Sequence, residues 1–276
     1  MIKLEDMDRL KETARLMRIN ILKMLNNVKS GHTGGSLSAA DIITALYFYV
    51  LKHDPENPHD SERDRFVLSK GHAAPALYSA LAMSGYFDLK ELMTLRKLNS
   101  NLQGHPDVRK TRGIEATSGS LGQGLSIANG MAMALRLQGI KSSVYVMLGD
   151  GELQEGQVWE AAMTAAHYKL GKVTAIVDNN GLQIDGKVKD IMEVEPLKEK
   201  WKAFGWRVQV IDGHNFEDIV PALENAKIRD ATDNPLVLIA KTIKGKGVSL
   251  FEGVVKYHGA PPTDEELKTA LRELGE

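Results

Sequence analysis

Apolar residues at Met7, Leu10, Ala14, Met17, Ile21 and Met24 recur at helical spacing and predict an amphipathic first helix. A glycine-rich loop holding His32 follows, and Asp41 to Leu51 reads as a second helix. Beyond the polar stretch Asp54 to Arg65, with its two prolines, Phe66 to Leu68 is a short strand. Ala73 to Met83 reads as a helix stopped by Gly85, with Pro75 tolerated because it falls in the first turn. Residues 99–120 mix glycine, asparagine, serine and charge without periodicity, so they are expected to be a long loop, a kind that is commonly functional. Small residues pattern the predicted helices Leu121 to Leu137 and Val158 to Tyr168. The unbroken apolar runs Ser143 to Leu148 and Val173 to Val177 have the length of buried strands. The remainder alternates: helix Pro196 to Phe204, strand Arg207 to Ile211, helix Phe216 to Ile228, strand Leu236 to Ala240, and a surface helix in Thr263 to Glu276.

Strands and helices alternating at this rhythm imply an α/β fold, a parallel sheet with helices on both faces. We find no repeat, low-complexity tract or linker, so residues 1–276 are expected to form one domain. A chain that is 43% hydrophobic and 26% charged can bury the core this needs. A net charge of −1 gives no electrostatic reason to expect nucleic acid or an anionic membrane as partner. The absence of cysteine excludes disulfides and thiolate metal sites and fits a reducing compartment. The amino terminus lacks an apolar signal core and no apolar stretch is long enough to span a bilayer, so a cytoplasmic location is expected.

Two motifs carry chemistry. Gly149-Asp150-Gly151 closes one predicted strand and Asn179-Asn180 closes the next, at the carboxyl ends where open α/β sheets place ligands. Either alone reads as a turn. Together they offer Asp150 as a charged ligand, Asn180 as an amide oxygen and the Gly181-Leu182 loop as a carbonyl, which suits magnesium completed by diphosphate oxygens and water. Gly149 and Gly151 would let the backbone approach phosphate in conformations that a Cβ opposes. His32, His72, His105 and His258 each sit beside glycine, and nothing in their spacing shows that they meet.

Gly149-Asp150-Gly151 through Asn179-Asn180 resembles the thiamine diphosphate signature, and further segments resemble transketolase in particular. These are Ser30 to Gly35, Leu68 to Ala74, Gly104-His105-Pro106, Thr117 to Gly124 and His258 to Pro261, in collinear order over about residues 7 to 263. The resemblance implies a thiamine diphosphate-binding fold with thiamine diphosphate and Mg2+ (or Ca2+ or Mn2+ in its place) as cofactors. Asp150, Asn180 and Leu182 would be the metal ligands, and His72, Gly119, Leu121, Gly149, Asp150, Gly151, Asn180 and Leu182 the coenzyme contacts. It implies that His105 holds the donor sugar's terminal oxygens while His32 and His258 exchange protons at the reacting carbons, a task suited to imidazole near neutral pH. Glu155 matches the family glutamate that meets the catalytic glutamate across an interface; by itself it reads as a carboxylate favoured at a helix start. The implied reaction moves a two-carbon glycolaldehyde unit from a ketose phosphate to an aldose phosphate.

A full transketolase carries a pyrimidine domain and a third domain that this sequence lacks, so the resemblance implies the amino-terminal subunit of a split enzyme. Its partner would be a carboxy-terminal transketolase subunit, in an α2β2 arrangement, with the helices at 121–137 and 158–168 as candidate interface. Ser120 and Thr33 stand where the family often has proline. Lys244-Gly245-Lys246-Gly247 is more like deoxyxylulose phosphate synthase, and Lys244 and Lys246 could reach a cofactor phosphate or simply form a basic turn. Two readings compete: the α subunit of a 2-oxo acid dehydrogenase, not expected to carry the His32, His105 and His258 set, and a silent interaction subunit.

Overall fold

The computed structural model of the chain describes residues 2–276. Helix α1, Leu4–Val28, buries Leu10, Met17, Ile21 and Met24 as its spacing predicts, and ends at Lys29, whose φ of 51° is left-handed. Two short helices, α2 at Thr33–Ser38 and α3 at Ala40–Ala45, lead into a π-helical turn at Leu46–Val50. The sequence predicts a loop around His32, yet residues 33–38 are helical and wholly buried. Packing overrides the poor helix propensity of Gly34 and Gly35.

Strand β1, Arg65–Leu68, precedes α4 at Ala74–Met83, where Pro75 lies in the first turn. Residues 99–120 contain neither helix nor strand, as expected. Helix α5, Gln123–Leu137, begins two residues later than its periodicity suggests. Gly122, its cap, has φ +82°, and a Cβ there would lie 2.8 Å from the Glu155 Cβ. Next come β2 at Val144–Gly149, α6 at Gly156–His167 and β3 at Val173–Asn179. A small hairpin of β4, Leu182–Gln183, and β5, Gly186–Lys187, follows, and then α7 at Val188–Ile191. The periodicity predicts neither, because two-residue strands are too short to show a period. The rest is α8 at Leu197–Ala203, β6 at Arg207–Asp212, α9 at Phe216–Lys227, β7 at Leu236–Lys241 and α10 at Asp264–Glu273. The capping box of Thr263 and Glu266 starts α10.

Five parallel strands form one sheet in the order β1-β2-β3-β7-β6. Its two faces divide the core. Tyr145, Met147, Ile176 and Leu238 join residues of α1, α3, α4 and α9 in one layer. The alternate residues Val146, Leu148, Ala175, Val177 and Val237 join α5, α6 and α8 in the other. Burial on both sides accounts for the unbroken apolar runs of the central strands. The register pairs Gly149 with Asp178, so the chain leaves β2 at Asp150 and leaves β3 at Asn180 side by side. Among the described residues, no helix is long and apolar enough to cross a membrane.

Candidate active site

The strand tips open into a cavity of about 370 Å³. All twelve residues singled out from the sequence line it: His32, His72, His105, Gly119, Leu121, Gly149, Asp150, Gly151, Glu155, Asn180, Leu182 and His258. Three of the imidazoles touch. Ring centroids lie 5.1 Å apart for His32 and His72, 5.2 Å for His72 and His258, and 5.6 Å for His32 and His258. His105 stands nearer the mouth and is exposed, with its ring against Gly119. Gly119 has φ +145°, and a Cβ there would come within 3.1 Å of the His105 Cγ.

Burial is the main reason that the three touching imidazoles are poor bases. It lowers His258 to about 3, with the Lys244 ammonium adding to the effect. It lowers His32 to about 4, with Arg96 as the next cause. His72 falls well below 6.5 through burial and then Lys70, and His105 is lowered through burial and then Arg96. The cluster is therefore neutral at pH 7, each ring able to donate from one nitrogen and accept at the other. The buried Nδ1 of His32 has no hydrogen-bond partner within the chain.

Asp150 is almost wholly buried, and none of the described basic side chains forms an ion pair with it. Its Oδ1 accepts from Gly151 N at 2.8 Å and its Oδ2 from Gly181 N at 2.5 Å. Burial, and then the charge of Asp178, push its carboxyl up to about 6. A carboxylate so short of counter-charge fits a divalent cation. Asn180 offers Oδ1, which accepts from Leu182 N at 3.1 Å, and the Leu182 carbonyl accepts from Lys244 Nζ at 2.9 Å. Among the described residues no group of three or more His, Cys, Asp and Glu could hold a metal. One carboxylate, one amide and one carbonyl remain, the donor set of magnesium that is shared with phosphate oxygens.

One expectation needs correction and one a change of place. Gly149 and Gly151 are not in left-handed conformations, and a Cβ on Gly149 would meet nothing closer than 3.8 Å. A Cβ on Gly151 would come within 3.1 Å of the Gln183 Cβ, so glycine there makes room for β4, and at neither position is the need one of a left-handed backbone angle. Glu155 stands at a helix start as its sequence suggests, although the helix is α6 and does not begin at Gly151. Gly151–Gln154 form a 3-10 turn, and Glu155, extended at φ −73° and ψ 122°, is the exposed cap of α6.

Sequence reasoning assigned no role to three buried charges. Lys70 and Asp178, 1% and 0% exposed, form an ion pair; Lys70 Nζ also donates to Gly35 O at 3.0 Å, and Ser38 Oγ to Asp178 Oδ2 at 2.6 Å. Every charge in that knot is hydrogen-bonded, as burial demands. A lone aspartate ending the apolar run Val173 to Val177 was its one signal. Glu152 accepts from Ser69 Oγ, from Gly122 N at 2.8 Å and from Gly149 N at 2.9 Å, tying β1, the α5 cap and β2 together. Lys244 is buried, its Nζ 2.7 Å from His258 Nδ1, and burial followed by the charge of Lys70 lowers it to about 8. It is thus a cavity residue and not a surface turn, whereas Lys246 does not line the cavity.

Residues 9–276 match the family model described as transketolase, thiamine diphosphate binding domain. The chain is 48% identical over 265 residues to the 6-deoxy-6-sulfo-D-fructose transketolase subunit SqwG of Clostridium sp. (strain MSTE9), with 96% of each covered. It is 41% identical over 259 residues to an apulose-4-phosphate transketolase subunit of Phocaeicola vulgatus, covering 94% of this chain and 91% of that one. The crystal structure of transketolase from Campylobacter jejuni superposes with a TM-score of 0.90 at 39% identity, over 96% of this chain but only 42% of the other. With its fold, its cavity and these matches in agreement, the chain belongs to the transketolase thiamine diphosphate-binding domain family.

Proposed function

We propose that this chain is the amino-terminal subunit of a two-chain transketolase, using thiamine diphosphate and Mg2+ to move a two-carbon unit from a ketose to an aldose. The observation that carries the reading is the convergence, in one cavity, of a cation-seeking Asp150-Asn180-Leu182 set and the His32, His72 and His258 cluster. When bound, the coenzyme supplies the carbon nucleophile and electron sink that carbon–carbon cleavage beside a carbonyl requires.

The chain's own residues do the remaining work. Asp150, Asn180 Oδ1 and the Leu182 carbonyl would hold the metal, and Lys244, Gly149 and Gly151, which line the same cavity, would border the diphosphate. His32 and His258, neutral and poorly basic, donate or accept a hydrogen bond at the oxygens of the reacting carbons and pass a proton there. His105, nearer the mouth, holds the donor's terminal oxygens. Buried walls exclude water that would divert the reaction.

Glu155 points out of the chain at the cavity rim, where a companion's pyrimidine domain would bring the catalytic glutamate against it. Half a site cannot turn over, so the active particle contains a carboxy-terminal companion, two copies of each chain around a twofold axis. The match of this chain to SqwG over 96% of both lengths supports the split arrangement. The two split relatives are named for different sugars, 6-deoxy-6-sulfo-D-fructose and apulose 4-phosphate, each with an anionic group away from the reacting carbons.

Mixing the purified chain with its companion and assaying transfer from xylulose 5-phosphate or 6-deoxy-6-sulfofructose to an aldose phosphate tests this. Transfer should need both chains, thiamine diphosphate and Mg2+. Full activity from this chain alone would refute it.

A further inference from the structure

A second buried charge cluster lies outside the cavity and has no part in the chemistry above. Arg18 of α1 grips Asp41 of α3 through Nη1 at 2.9 Å and Nη2 at 2.6 Å, with side chains 8% and 7% exposed. His214, in the turn after β6, sets its Nδ1 2.7 Å from the same carboxylate. Ile243 N–H donates to His214 Nε2 at 2.8 Å. That bond makes Nε2 the acceptor and leaves the proton on Nδ1, from which it is donated to Asp41. Arg18 Nε reaches beyond Asp41 and donates to Lys246 O at 2.9 Å.

Two side chains bound to one carboxylate therefore pin a single segment at both ends, Ile243 by its amide and Lys246 by its carbonyl. Lys244 lies between the pinned positions. Gly245 N–H adds a third tie, to Gly34 O at 3.0 Å. Lys244 is the one residue of 243–247 that lines the cavity. A lysine loses rotamer freedom when held, and burial disfavours its charge, so an untethered loop would swing the ammonium out to water.

We propose that Arg18, Asp41 and His214 are positioning residues, a clamp that fixes the 243–246 segment so that Lys244 meets the diphosphate end of the coenzyme. The inference rests on the functional reading given above for the cavity. A purely structural role, stapling α1 to α3, needs only the Arg18–Asp41 pair. His214 stands outside that staple, tying its own turn after β6 and, through Ile243, the 243–246 segment to Asp41, so His214 separates the two roles.

The test compares the full-length wild type with His214→Ala and His214→Gln. Amide hydrogen exchange is followed in the chain, and thiamine diphosphate is titrated calorimetrically, with Mg2+, into the complex with the companion. His214→Ala should speed exchange in residues 242–247 at least about tenfold, leave β2 and β3 unchanged, and weaken coenzyme binding about tenfold, as loss of one well-placed charged donor would. His214→Gln, whose amide can accept from Ile243 and donate to Asp41, should recover most of both. Several results would overturn the clamp: unchanged exchange, faster exchange throughout the sheet, a local exchange effect with an unaltered Kd, or equal loss in both variants. Wild-type complex that binds no thiamine diphosphate would instead defeat the functional reading, and this is visible before any variant is compared.

Discussion

Three imidazoles in mutual contact can share a small space only if they are uncharged, and here burial, Arg96, Lys70 and Lys244 all push them that way. Arg96 Nη1 donates to Ser30 Oγ at 2.9 Å while its guanidinium lies against Gly104, between the His32 and His105 loops. Replacing Arg96 by Met should raise the pKa of both His32 and His105, read by NMR titration of the ring protons; no movement in either would remove Arg96 as a cause. For the site itself, Asp150→Ala should abolish Mg2+-dependent coenzyme retention by removing the one carboxylate of the proposed metal set. His105→Ala, near the mouth, should spare binding and slow transfer by about 10²-fold or more. Equal loss of coenzyme in the two variants would undo the division of roles. At this scale glycine-flanked histidines and strand-tip Asp and Asn were legible because their neighbours in sequence are also their context. Lys70, Glu152 and Arg96 were not, because their meaning lies in partners 108, 30 and 66 positions away.

Among the elements, the central strands and α1 could be read directly, since burial on two faces or on one stripe leaves a period in the chain. Helix α2 could not: its two glycines disfavour a helix, and the packing that forms it comes from remote residues such as Lys244, Tyr257 and His72. The 3-10 turn before α6 was hidden too, because Glu152 organises it by reaching Gly149 and Gly122 rather than by any local propensity. Glu152→Ala would strand those two amides and the Ser69 hydroxyl in a buried setting. We expect a loss of about 3 kcal/mol in folding stability by urea titration, the scale of a broken buried hydrogen-bonded charge. A change under about 0.5 kcal/mol, ordinary for a surface site, would show that the three loops hold themselves.

Over the whole molecule, the histidine shifts become a stability profile. The folded pKa values of His32, His72 and His258 all lie below the unfolded value of 6.5, so between pH 6.5 and about 4 the unfolded chain binds more protons than the folded one. Their contribution is complete above 6.5 and is lost as pH falls through that window. Asp150, raised to about 6, and Glu152, also raised by burial, act in the opposite sense and offset part of this. Urea midpoints of the metal-free chain should therefore fall from pH 7.5 to pH 5; a rise would contradict the neutral cluster. The helices α5 and α6, candidates for a subunit contact because of their small residues, pack on each other through Asn129 Nδ2 to Ala161 O at 2.8 Å and a Gln123–Gln157 pair. That packing accounts for several of the small residues without any partner, although Gly130 and Met163 remain exposed.

The sheet that divides the core also isolates its halves. Leu81, in the layer with α4, and Leu125, in the layer with α5, have separate sets of neighbours, so truncating both to Ala should cost the sum of the single losses to within about 0.5 kcal/mol. Each half can then accumulate and compensate its own substitutions without consulting the other. Descendants of this fold would be free to remodel one flank for a new associate while the opposite flank keeps its ancestral packing.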